Sequence, residues 1–378
     1  MKLIIQNNRD MKTIYLKKLV VSVVLVILSV LQITVTASQI TPPYTSVDND
    51  IVGVSNFRGD ANLSNDTTHI APISLSEGGE TISNDYENAQ PPKKSLSNFT
   101  FPDIQTRSTT SAIEVSGLID ASTLEDNAEL VLTGNTNLFM DVNKTLKCIR
   151  GDYTLTLSGG NILTLNNPED YAINVLSITI SAPLIVKSSN VAISAKNDIT
   201  INNTVNATST NTCIGTVNGT ISINADVTVI TNSSAAILNR GLDNGGDIII
   251  NNGVIKATGG NSGIWAYGIA ARGSITSQAG TIINATGGTG IYAEEGNIHL
   301  AGDVVSIAKG ETGSGVYAEA GEVSLSTISV PSSQVGISAK NGLTLNGDVE
   351  INSADTGIGT VNGTLTINAD VTVTTNSS

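Results

Sequence analysis

One stretch of this chain occurs twice. Residues 190–234 and 334–378 align without a gap at an offset of 144, and 29 of the 45 positions are identical. The block Ile214–Thr220 returns unchanged as Ile358–Thr364. A copy that keeps its length over such a distance requires the chain between the copies to be built of repeating units. In a repeat array each unit touches only its neighbours, so whole units can be copied without disturbing a shared core.

The unit begins with a small residue followed by Ile or Val. It stands at Cys148-Ile149, Ala172-Ile173, Ala192-Ile193, Cys213-Ile214, Ala236-Ile237, Gly263-Ile264, Gly290-Ile291, Gly315-Val316, Gly336-Ile337 and Gly357-Ile358, with spacings of 20 to 27 residues. Between these dipeptides lie short alternating runs such as YTLTLSG, SITISA and LIVKSS, each closed by Gly, Asn, Asp or Ser. Alternation of period two between turn residues predicts strands. Two or three strands and their corners fill a unit of this length, which is one coil of a parallel β-solenoid.

One coil shows the pattern. Ile337 and Ala339 point inward with Ser338 outward, then Leu343 and Leu345, then Val349 and Ile351. Successive coils stack at about 4.8 Å. The small residue fits a corner too tight for a long side chain. Cys148 and Cys213 both fill that corner, three coils apart, which is ~14 Å at this spacing. A disulfide needs Cα atoms within ~7 Å, so two free thiols are predicted.

Composition agrees with this architecture. Aromatic residues make up 3% of the chain and charged residues 14%. That is little bulk for a thick globular core, but it suits a narrow core of Ile, Val, Leu and Ala repeated along an axis. The net charge of −14 argues against nucleic acid as a partner, because that binding needs clustered Lys and Arg. The two histidines, His69 and His299, leave no multi-histidine metal site.

Four segments are expected. Residues 1–37 form a secretory signal peptide, with basic MKTIYLKK from Met11, apolar Leu19 to Leu31 and the small-residue pattern Val35-Thr36-Ala37. The apolar run is shorter than the ~20 residues of a membrane span. Residues 38–111 form a low-complexity spacer, largely disordered, containing Pro42-Pro43, Gly78-Gly79 and Pro91-Pro92. Residues 112–147 form an N-terminal cap and the first coils, with Phe139 and Met140 as cap bulk. Residues 148–378 are solenoid repeats that read as truncated, because the earlier copy continues into Ala235-Ala236-Ile237. An uncapped end exposes strand edges and predicts end-to-end self-association.

The small-Ile corners, the Gly-x-Ile/Leu-x-Ile/Leu runs and the Asp-Val-Thr-Val strand ends at Asp226 and Asp370 carry a resemblance. Residues 112–378 resemble the single-stranded right-handed parallel β-helix of pectin-lyase-like folds, and among these the adhesin-like surface repeat proteins. The resemblance implies right-handed coiling and a secreted or cell-surface location. It is specific for architecture and weak for activity, because the fold hosts lyases, hydrolases and adhesins.

Counting outward from each Ile, three successive coils present Trp265, Tyr292 and Tyr317, with Glu294, Glu295 and Glu319 just beyond. Stacked at coil spacing, they predict an exposed aromatic ladder rimmed by carboxylates, a strip on which sugar rings can pack. The alternative is a ladder that only stabilises its sheet. No catalytic residue is expected. Lys and Arg are sparse, and Lys256 and Arg272 with Glu294 and Glu295 are the best candidates for a polysaccharide lyase or hydrolase. No cofactor is expected. Asp226, Asp247, Asp303, Asp348 and Asp370 are placed at turns, where Asp bonds the local backbone, with calcium binding the weaker alternative. The sequence thus predicts a structural stalk with an adhesive or glycan-binding surface. Its expected partners are host or neighbouring-cell glycans or proteins.

Overall fold

The computed structural model describes residues 112–375 apart from 244, 262 and 264, together with Ser95 and Leu96 and the backbone of Thr68–Ile70 and Ile73–Ser74. The expected signal peptide and nearly all of the expected spacer lie outside the described residues.

Most coils give one strand to each of three parallel sheets, while Ala112–Asp120, Glu129–Met140, Ile298–Ala308 and Val323–Ser332 each run through two of them. In the first sheet a single column of paired residues runs Ile113, Leu130, Ile149, Ile173, Ile193, Ile214, Ile237, Ile269, Ile291, Val316, Ile337, Ile358. These are about twelve turns. The second sheet stacks Ile178, Ile199, Ile221, Ile248 and Ile275 in the same way. The third stacks Leu163, Leu184, Val205, Val227 and Ile255. All these columns point inward and are buried, except for Ile113 and Ile358 at the two ends of the first, which are partly buried. Full burial of one such side chain is worth about 1.5–3 kcal/mol relative to exposure, so the core is held by many equal contributions along its axis. Ile214 and Ile358 stand six rungs apart, so the 144-residue copy is a block of six coils.

The corner is as tight as its small residues predict. A Cβ on Gly315 would lie 2.5 Å from Val330 Cγ1 and 2.7 Å from the Gly336 carbonyl oxygen. Cys148 and Cys213 are free and buried. Burial pushes both thiols up to about 11, with nearby Glu129 adding to the effect at Cys148. Outside the core, asparagines at the corners between the second and third sheets bond coil to coil. Asn251 Nδ2 donates to Asn224 Oδ1 at 2.8 Å, and Asn224 Nδ2 donates to Asn202 Oδ1 at 2.7 Å.

Three expectations are corrected. The rung after Ile237 is Ile269, preceded by Gly268, and not the dipeptide at Gly263. Both sites share the text Gly-Ile-x-Ala. Only Ala271 stands four residues before the next inward residue, Ile275, as Ala195 stands before Ile199 and Ala339 before Leu343. The second correction concerns Phe139 and Met140. They lie in the regular strand Glu129–Met140, whose alternation buries Met140 and leaves Phe139 41% exposed. Phe139 therefore adds no bulk to the core. The third correction is at the other end. Val371–Thr375 and Leu365–Ile367, expected to present free edges, pair antiparallel with Thr68–Ile70 and Ile73–Ser74.

Candidate functional site

The outer face of the first sheet departs in its middle coils from the mostly polar exterior of the rest. Its outward column reads Leu238, Ala270, Tyr292, Tyr317, Ser338 in the middle coils. Ala270 has no bulk beyond Cβ. Tyr267, at the start of the same strand, stacks its ring on Tyr292 with centroids 4.9 Å apart and planes at 10°. Tyr292 and Tyr317 follow at 5.7 Å and 35°. The expected ladder of Trp265, Tyr292 and Tyr317 is therefore a ladder of Tyr267, Tyr292 and Tyr317. Trp265 sits in the loop before Tyr267, half-buried against the same cluster. The shift follows from the corrected rung at Ile269.

The ladder is not open to solvent. Tyr292 is 3% exposed, Tyr317 2% and Ser338 2%. Leu96, fully buried, packs against Ala235, Leu238, Ala270, Tyr292 and Tyr317. Its backbone N–H donates to Glu294 Oε2 at 2.8 Å across 198 positions of sequence. The three expected carboxylates thus have separate tasks. Glu294 holds the backbone of Leu96. Glu319 accepts a hydrogen bond from the Tyr292 hydroxyl. Glu295 pairs with Arg272 Nη2 at 2.7 Å, while Arg272 Nη1 donates to the carbonyl of Leu242 at 3.2 Å.

Burial pushes the phenols of Tyr267, Tyr292 and Tyr317 well above the usual tyrosine range. Glu319 pushes in the same direction, by its charge on all three and by accepting the hydrogen bond of the Tyr292 hydroxyl. A phenol held in this way stays protonated and serves as donor and apolar surface. The hydrogen bond it donates to Glu295 holds the Arg272 guanidinium above its ordinary value.

Other candidates fall apart in space. Lys256 lies exposed on the third sheet, away from the first-sheet strand end where Arg272 meets Glu295. Asp226 and Asp247 do bond the backbone at turns, accepting the N–H of Val254 at 2.9 Å and of Ser274 at 2.7 Å. Asp303 is not at a turn but inside the strand Ile298–Ala308. It lines a shallow groove of about 580 Å³ on the third sheet, together with Thr327, Asp348, Glu350 and Asp370. Among the described residues no three His, Cys, Asp or Glu side chains gather as a metal site.

Sequence reasoning missed Tyr267 and Leu96. The distance to the next inward residue pointed to the rung that brings in Tyr267. Nothing local marks Leu96, one leucine in a polar stretch. Among the described residues no helix is long and apolar enough to cross a membrane. No protein-family model, curated protein or solved structure matches the chain.

Proposed function

We propose that this chain is a secreted or cell-surface β-solenoid that acts as a stiff stalk with an adhesive exterior. The observation that carries the reading is the unbroken column of about twelve rungs. At about 4.8 Å per step it makes a rod of roughly 50 Å whose every coil is hydrogen-bonded to the next. Adhesion by such a rod rests on many weak contacts acting together, which linkage on one body makes strong. Its partners on this reading are glycans or proteins of a neighbouring surface. Beads coated with the protein should adhere to cells under flow, and soluble protein should compete. Beads that detach like uncoated ones would leave a scaffold without adhesive function.

A second reading, a carbohydrate-binding module, is favoured by the stack of Tyr267, Tyr292 and Tyr317 beside Glu294 and Glu319. It requires the face to be uncovered. A glycan array comparing the wild type with a Trp265→Ala, Tyr292→Ala, Tyr317→Ala variant tests it, and equal binding would remove it.

A further inference from the structure

The seat of Leu96 has the features of a peptide site. It is an apolar notch where one side chain is buried in a cluster with Ala235, Leu238, Ala270, Tyr292 and Tyr317. At its rim a single carboxylate, Glu294, faces a backbone N–H. An apolar seat plus a polar anchor for the backbone fixes both the side chain and the direction of the chain that carries it. Glu319 adds negative charge nearby, Glu295 being paired with Arg272, and in sequence Lys93 and Lys94 precede Ser95 and Leu96. The charges of the seat and its occupant are complementary. The occupant comes from outside the solenoid. The coils from Ala112 onward make their core without it, since Leu96 takes no part in the inward columns.

We propose that this notch is a docking site for a peptide bearing a leucine side chain, and that Leu96 is its resident occupant in cis. The site is self-masked: a leucine peptide from another molecule binds only when Leu96 leaves. Sequestration by the attached segment weakens any free competitor in proportion to the resident's local concentration. The proposal does not depend on the adhesive reading, since a stalk without adhesion can carry the same notch.

The test uses the full chain with Leu96→Ser, and the milder Leu96→Ala, each checked for an unchanged far-UV spectrum. A labelled peptide of residues 92–100 is titrated against each by fluorescence anisotropy. Expected is saturable binding to the variants at least about tenfold tighter than to the wild type, the size expected from burying one leucine in a vacated pocket. The same peptide with its leucine replaced by serine should not bind, which separates the notch from general charge attraction. Adding Glu294→Ala to Leu96→Ser should weaken binding by roughly tenfold, the worth of one hydrogen bond to a charged acceptor. Tyr292 should become reactive to N-acetylimidazole in the variants alone. The proposal is overturned if the peptide binds wild type and variants equally, or if it binds neither. It is also overturned if Tyr292 stays protected when Leu96 is gone. Binding of oligosaccharide instead of peptide to the Leu96→Ser variant would overturn it in favour of the sugar-binding reading.

Discussion

Two outer faces of one rod differ more than any two of its coils. On the third sheet the outward column Thr228, Lys256, Asn284 is at least partly exposed. On the first sheet the outward column Leu238, Ala270, Tyr292 is buried. Behind both faces the inward residues are the same aliphatic stack. The coil therefore needs nothing from its exterior to form. Threonine, asparagine and lysine are satisfied by water, whereas leucine, alanine and tyrosine lower the free energy only when something covers them. The contrast marks one face as a wall and the other as a seat.

The largest test removes what the two faces share. Ile291→Asp puts an unpaired charge among fully buried neighbours and should cost more than about 4 kcal/mol, enough to unfold the central coils. Hydrogen exchange should show protection lost around the rungs Ile269, Ile291 and Val316, with the distant coils less affected, because coils couple only to neighbours. Uniform protection after this change would mean that the column is not the core.

A medium effect separates the faces. Tyr292→Ala should cost about 3–5 kcal/mol, as expected for a buried aromatic ring. Asn284→Ala, one coil corner away on the water-facing side, should stay within about 0.5 kcal/mol. Urea midpoints of the two variants measure the difference. Equal shifts would erase the distinction between wall and seat.

The smallest effect is a pH dependence located mainly on the seat. Tyr267, Tyr292, Tyr317, Cys148 and Cys213 all hold their protons more tightly in the folded chain than is usual. Their contribution is full below the unfolded values and is lost as pH rises through the folded ones. For the thiols the window runs from 9.0 to about 11. The urea midpoint should be flat below pH 9 on this account and fall above it. Tyr292→Phe should flatten part of that fall. An unchanged slope in Tyr292→Phe would place the alkaline sensitivity elsewhere.

Most of the architecture was legible because the inward positions repeat and depend only on local alternation. Ile337, Ala339, Leu343 and Leu345 could each be placed from their immediate neighbours. The rung at Ile269 was not, because a loop before it carries a second Gly-Ile-x-Ala with the same local chemistry. The seat was half legible. Tyr292, Tyr317, Glu294 and Glu319 were found on one face, but their burial was not. What covers them lies far away in sequence, and outward residues have the same parity whether they meet water or another segment. The bond between Leu96 and Glu294 belongs to no periodicity that a repeat can announce.

The antiparallel pairing of Thr68–Ile70 with Val371–Val373 has a consequence for how a vacant coil edge is covered. Asp226-Val227-Thr228-Val229 carries the same four residues as Asp370-Val371-Thr372-Val373. Yet Val227 already has a strand on either side, Val205 and Ile255, and is closed to a third. The last described strand is thus distinguished from its twin by a vacant edge and not by sequence. Any other coil edge left vacant, offering the same backbone ladder, should accept the antiparallel strand in its place.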